Sequence, residues 1–224
     1  MDSFGIIVLA YFIGSFPHLL IMARVNHIST DGDLHMALWQ QAGPFIGLSV
    51  VIVDVLKGIG TIWLVRLLGF NIETIVACGI VATMGQMWPV WKDFDGEKGN
   101  TTGYGAAAAI ALIPTLLALT GVLVGLMFKL FRALQLKDIP KSERFSKGAG
   151  PSIALPVGVA IGFVLLPFTA LWLGQPQQVV IGFAVLSTLI FIRRLTAGLG
   201  KDLKTQSNRM TIFWQRLLLD RGQK

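Results

Sequence analysis

Charge is what this sequence has least of. Only 14% of its 224 residues are Asp, Glu, Lys or Arg, while 54% are hydrophobic. A soluble domain carries roughly 25% charged residues, so lipid is the solvent that this composition fits. Cysteine is nearly missing: Cys78 stands alone, which excludes an internal disulfide and a thiolate metal cluster. Histidine is scarce too. His18, His27 and His35 show no helical metal-ligand spacing. The serine elbow G-x-S-x-G does not occur, which argues against a serine hydrolase. The opening "MDSFGIIVLAYFIG" has neither a basic leader nor a small-residue cleavage site. It reads as a retained first span.

Basic residues are not scarce in the same way: the net charge is +7. Their clustering argues against nucleic acid as the partner. Eight Lys/Arg lie from 193 to 224 and six from 129 to 147, as on the cytoplasmic side of a membrane protein. Apolar runs cover 3–23, 44–65, 72–90, 103–131, 151–172 and 179–192. The fourth is long for one crossing of about 20 residues, and Pro114 lies inside it. Proline removes a helical hydrogen bond and kinks or breaks the helix. Splitting the run at Pro114 predicts an all-α, polytopic membrane bundle of about seven helices. The N-terminus is then outside and the C-terminus inside. Of the 19 basic residues, only Arg66 falls on the outer side and only Lys57 within a span. A single long kinked helix is the competing reading. We expect one transmembrane domain over 1–200 and a cytoplasmic tail over 201–224. Within that tail, "LKTQSNRMTIFWQRLLL" at 203–219 reads as an amphipathic helix on an anionic leaflet or as a loosely ordered segment.

Polar residues inside such a chain carry information. Asp54 and Lys57 are three apart in "SVVIVDVLKGIG" and share a helix face. Buried charges in a span pair with one another and face functional cavities. The pair is either architectural or the wall of an anion-holding cavity. In "GEKGNTTG", Lys98 stands among Gly96, Gly99 and Gly103 just before a helix start. Glycines let amides turn toward a ligand, the helix N-terminus attracts anions, and lysine adds a full charge. Thr101 and Thr102 are candidate caps. That chemistry suits phosphate; a solvated inter-helix loop is the alternative. The spacing is neither a Walker A loop nor an EF-hand. No histidine is followed five residues later by aspartate, so the dyad usual in soluble acyltransferases is missing. Trp88 and Trp91 sit where interfacial aromatics anchor a span.

Three segments together resemble the bacterial acyl-phosphate:glycerol-3-phosphate acyltransferases. They are "AYFIGSFPHLLIMAR" at 10–24, "VVIVDVLKG" at 50–58 and "GQMWPVWKDFDGEKGNTTGYG" at 85–105. The family's G-S-I-P…A-R matches Gly14, Ser15, Pro17, Ala23 and Arg24. Its D-x-x-K-G matches Asp54, Lys57 and Gly58. Its G-H-x-[FW]-P…F-x-G-G-K-G-x-x-T matches Gly85, Trp88, Pro89, Phe94, Gly96, Lys98, Gly99 and Thr102. Ser152 keeps half of a serine pair. The resemblance covers roughly 10–198.

It implies a small integral membrane enzyme of seven helices that makes lysophosphatidic acid from an acyl phosphate and glycerol 3-phosphate. It implies no cofactor and no metal. Lys98, Lys57, Asp54 and Thr30 would be the catalytic residues. Arg24, Gly96, Gly99, Thr102, Ser15, Ser152 and Gln86 would bind substrate or phosphate. The implied site faces the cytoplasm from the plasma membrane, with membrane lipid around it. The chain also departs from the pattern. "STDGDLHMA" at 29–37 replaces G-S-G-N-x-G-A-T-N, with Thr30 where the family carries a serine. Gln40 replaces an arginine, Gln86 a histidine and Glu97 a glycine, and of the final R-H-x-x-N only Arg193 and Arg194 remain nearby. Two other readings stay open: a member of this fold that binds a lipid phosphate or a partner without catalysis, and a small-solute transporter using the broken helix.

Overall fold

A computed structural model describes residues 2–29, 33–135, 154–199, 203–204 and 209–219. Thr30, Ser152 and most of the basic segment 129–147 lie outside the described residues. The regular secondary structure among the described residues is all helical. The first helix, α1 (Ser3–Ser15), starts where the Asp2 carboxylate accepts from the Gly5 amide at 2.9 Å. Pro17 then bends the chain into α2 (His18–Val25). A short α3 (Leu34–Ala37) opens on the Asp33 cap and runs through a wide turn, Leu38–Ala42, to Gly43. Gly43 has φ +94 and Pro44 occupies the first turn of α4 (Pro44–Leu67). That is where a proline needs no amide partner. Asn71 caps α5 (Ile72–Met87).

Residues 88–99 form a folded loop with one tight turn at Val90–Lys92. Gly99, at φ +76, swings the chain into α6 (Asn100–Ile110). The long fourth run is indeed two pieces, but the break lies at Ala111, not at Pro114. Ala111 is extended (φ −147, ψ 97), and Pro114 sits in the first turn of α7 (Leu112–Ala118). A proline there costs no helical hydrogen bond, so it starts a helix more readily than it ends one. The Ile110 carbonyl freed by the break accepts from Arg66 Nη2 at 2.9 Å. The chain continues through α8 (Thr120–Gln135), α9 (Ala154–Trp172), α10 (Gln177–Thr196) and α11 (Arg209–Leu219). In α9, Pro167 cannot donate to the Phe163 carbonyl. Ser187 Oγ from α10 donates to it instead, at 2.6 Å.

Six helical stretches among the described residues are long and apolar enough to cross a membrane: Ser3–Val25, Pro44–Leu67, Ile72–Lys92, Leu112–Phe131, Ala154–Trp172 and Gln177–Thr196. The protein is a multi-pass membrane protein with an all-helical fold. Large apolar side chains such as Phe45, Trp63, Phe168 and Trp172 face outward, where lipid would cover them. The short α6 returns through the interior between α4 and α5. Tyr104 stacks on Phe163 at 4.2 Å, and Ile110 packs beside Ile62 and Ile72. The tail helix α11 docks on α9 and α10, with Ile212 and Arg216 buried; Arg216 donates to the Leu195 and Ala197 carbonyls.

The α4–α6 crossing is made by glycine. A Cβ on Gly58 would overlap the Thr102 carbonyl, and one on Gly105 the Val55 carbonyl. Close backbone approach of this kind is the usual basis of helix packing in lipid. Gly60, on the same helix, faces open space. Gly58→Val should therefore lower the thermal midpoint in detergent, by about 1–3 kcal/mol or more of overpacking. Gly60→Ala should leave it unchanged or raise it slightly. Equal midpoints for both variants would contradict this packing.

Candidate active site

The centre of the site is the Asp54 carboxylate, fully buried on α4. One helical turn on, Lys57 Nζ lies 2.9 Å from Asp54 Oδ1 and donates to the Gly14 carbonyl at 3.1 Å. His35 Nε2, from α3, lies 2.9 Å from Oδ2. His18 Nε2, from α2, lies 3.4 Å from Oδ1 and 3.3 Å from the Val50 carbonyl. Thr101 Oγ1 donates to Oδ2 at 3.1 Å, and Thr102 Oγ1 donates to the Asp54 carbonyl at 3.0 Å. Thr101 and Thr102 do donate through their hydroxyls, but they do not cap α6, whose N-cap is Gly99. Both turn to α4: Thr101 meets the buried carboxylate, which needs donors, and Thr102 the main-chain carbonyl of the same residue. Four segments distant in sequence, α2, α3, α4 and α6, meet on one anion.

A second layer holds the loop before α6. Arg193, 4% exposed at the end of α10, donates through Nη2 to Asp95 Oδ1 at 2.7 Å and to the Gly96 carbonyl. Its Nε donates to the Glu97 carbonyl at 3.3 Å, and its guanidinium lies 5.9 Å from the Trp88 ring centre. The Gly96 amide donates to the Met87 carbonyl and the Glu97 amide to that of Gln86, both at 3.1 Å. Two amides expected to face a ligand are therefore committed to the end of α5. The loop amides at 96 and 97 thus point into the fold. Lys98 Nζ pairs with Asp33 Oδ2 at 3.2 Å. Burial alone would push the Asp33 carboxyl up; Lys98, the Met36 amide and His35 together hold it below the ordinary value.

Beside Lys57 a hollow opens between α1, α2, α5 and the 88–99 loop. Ser15, His18, Lys57, Gln86, Lys92, Gly96 and Glu97 supply its polar lining, with Phe16, Leu19, Leu34 and Trp91 among the apolar wall. Of the expected site residues, Ser15, Lys57, Gln86 and Gly96 reach this hollow. Asp54 and Thr102 stand behind it. Gly99 supplies the positive-φ turn into α6. Arg24 is exposed at the end of α2 and does not line the hollow. His18, His35, Glu97 and Arg193 were not among the residues expected from sequence. The signal that could have found the histidines is Asp54 itself. A fully buried carboxylate needs more than one lysine to satisfy its lone pairs.

His35 offers a pH test. Burial alone would lower its pKa, but the hydrogen bond and charge of Asp54, aided by Glu97 and Asp33, outweigh it and raise the pKa. A raised folded-state value gives stability that is complete below about pH 6.5, the ordinary histidine pKa. It is lost as pH climbs through the folded-state value. The advantage of the wild type over His35→Gln in thermal midpoint should shrink across that window. A constant difference from pH 5 to 9 would contradict the ion pair. Asp54→Ala, which strands Lys57 in the interior, should cost about 3–5 kcal/mol in the same measurement.

The chain is similar to two solved forms of PlsY (YgiH), described as an integral membrane glycerol 3-phosphate acyltransferase, one in its lysophosphatidic acid form and one in its glycerol 3-phosphate form. Each comparison has a TM-score of 0.68 and 20% identity over 92% of this chain and 94% of that one, a likeness of fold. It is 26% identical to a glycerol-3-phosphate acyltransferase of Endomicrobium trichonymphae, over 92% of this chain and 95% of the relative. It is 28% identical to glycerol-3-phosphate acyltransferase 4 of Dehalococcoides mccartyi (strain CBDB1), over 94% of this chain and 85% of the relative. The family model for glycerol-3-phosphate acyltransferase matches residues 4–197, and the chain belongs to that family.

Proposed function

We propose that the protein transfers the acyl group of an acyl phosphate to glycerol 3-phosphate, or to a similar polyol phosphate, giving lysophosphatidic acid and inorganic phosphate. The observation that carries this reading is a lysine locked by a buried carboxylate at the wall of a hollow that polar side chains also line, in a chain of this family. An acyl phosphate is already activated, so the protein need only position the reactants and stabilise charge. The acceptor hydroxyl oxygen attacks the acyl carbonyl carbon. The new ester bond forms, the bond from that carbon to the phosphate oxygen breaks, its electron pair leaves with phosphate, and the hydroxyl proton ends on phosphate or water. No covalent enzyme intermediate is required. Lys57 offsets phosphate charge, and Asp54 orients it. Lys98 exchanges Asp33 for substrate phosphate, while Gly96 and Gly99 shape the backbone around it. Ser15, Gln86, Thr30 and Ser152 hydrogen-bond the substrates, and Thr102 fixes α6 against Asp54. Arg24 draws anionic substrate toward the mouth.

Counting α6 as a crossing gives seven passes with the termini at opposite ends. The clustered basic residues then favour an external N-terminus, a site at the inner surface of the plasma membrane, and acyl chains lying between helices in the bilayer. One observation favours a second reading, a lipid-phosphate binder that no longer catalyses: Lys98 is paired with Asp33, and two loop amides are committed to α5.

Purified protein supplied with palmitoyl phosphate and glycerol 3-phosphate should release inorganic phosphate only when both are present. Lys98→Ala should slow release by about 10²–10³-fold. No release from the wild type, with glycerol 3-phosphate still bound, would favour the second reading.

A further inference from the structure

Two polar side chains in the hollow take no part in the network around Asp54. Gln86 is 4% exposed, lines the hollow, and neither Nε2 nor Oε1 has a hydrogen-bond partner among the described residues. A buried amide with all its capacity unused points to a ligand that completes it. Glu97 is 8% exposed and lines the same hollow. Its Oε1 accepts from the Leu34 amide at 3.4 Å and lies 3.9 Å from Lys92 Nζ. Its Oε2 has no hydrogen bond or ion pair among the described residues. The two residues are tied together, since the Glu97 amide donates to the Gln86 carbonyl, and Arg193 grips the Glu97 carbonyl from the other side. Both side chains are thereby held by backbone fixed on two helices.

The chemistry of this pair selects its ligand. An amide both donates and accepts, and a carboxylate accepts; a phosphate would meet repulsion from Glu97. A hydroxyl donates and accepts, and it satisfies both. Resting on the acyl-transfer reading above, we propose that Gln86 and Glu97 form the subsite for the acceptor's hydroxyl groups, with Glu97 taking the proton of the attacking hydroxyl. The O–H proton passes to Glu97 Oε2 as the oxygen bonds to the acyl carbon. The bond from that carbon to phosphate oxygen breaks, phosphate keeps the electron pair, and the proton leaves Glu97 for phosphate or water. Lys57, which lines the same hollow, takes the acceptor's phosphate end. Burial raises the Glu97 carboxyl, with Asp33 adding to the rise and His35, Lys92 and Lys98 opposing it. That direction brings a carboxylate closer to the operating pH, where a general base works best.

The test uses the full-length protein, palmitoyl phosphate, glycerol 3-phosphate, and phosphate release from pH 5 to 9. Glu97→Gln should lower kcat by about 10²-fold or more. It should leave KM for glycerol 3-phosphate within about threefold of wild type and remove the acidic limb of the pH profile. Gln86→Leu should raise that KM about tenfold, as for one lost buried hydrogen bond, with kcat largely kept. Should Glu97→Gln fail to fold, Glu97→Asp is read instead; it should keep the acidic limb at reduced kcat. A Glu97 variant with wild-type kcat and an unchanged limb overturns the base. An unchanged KM in Gln86→Leu overturns the subsite. A wild type that releases no phosphate refutes the acyl-transfer reading and the base together. The subsite is then judged by calorimetric binding of glycerol 3-phosphate: weaker in Gln86→Leu supports it, equal binding overturns it.

Discussion

The rest of this structure depends on a carboxylate that water does not reach. Asp54 is fully buried in the apolar middle of a chain that otherwise avoids charge. A carboxylate there is tolerable only when its oxygens are met by cations and donors. Lys57, His18, His35 and Thr101 do so, and each arrives on a different part of the fold. The anion thus ties together the bend after α1, the short segment α3 and the start of the return helix α6.

Two further features make that convergence possible. Gly58 and Gly105 let α4 and α6 cross backbone to backbone, close enough for Thr101 and Thr102 to reach Asp54. Arg193 reaches back from the last crossing to hold the Asp95–Glu97 corner of the loop. The hollow lies beside this held loop and the oriented lysine. A site that needs positioning and charge complementarity more than a reactive nucleophile is served by rigidity of this kind.

Some of this was legible in the sequence because it obeys helical periodicity. The three-residue spacing of Asp54 and Lys57 announces an ion pair on one face, and the apolar runs announce the crossings. Ile72–Lys92 and Gln177–Thr196 lie within a few residues of the expected spans. The break before α7 was misplaced because proline is ambiguous: it disrupts a helix from inside but suits its first turn. The roles of His18 and His35 were illegible because their partner is 36 and 19 positions away, respectively, and neither residue has a local pattern. The same holds for Lys98: glycines and a lysine before a helix suggest an open anion cradle, and only the folded chain brings Asp33 against it. Glu97 and Gln86 read in sequence as substitutions within a motif. In the fold they are neighbours on one wall.

The central claim is that the Asp54 network holds a lysine and a loop around a polyol phosphate. A structure of the protein with glycerol 3-phosphate bound tests it most directly. The account predicts the phosphate within salt-bridge reach of Lys57 or Lys98 and a hydroxyl group against the Gln86 amide. Ligand density elsewhere, with the hollow beside Lys57 unfilled, would contradict it.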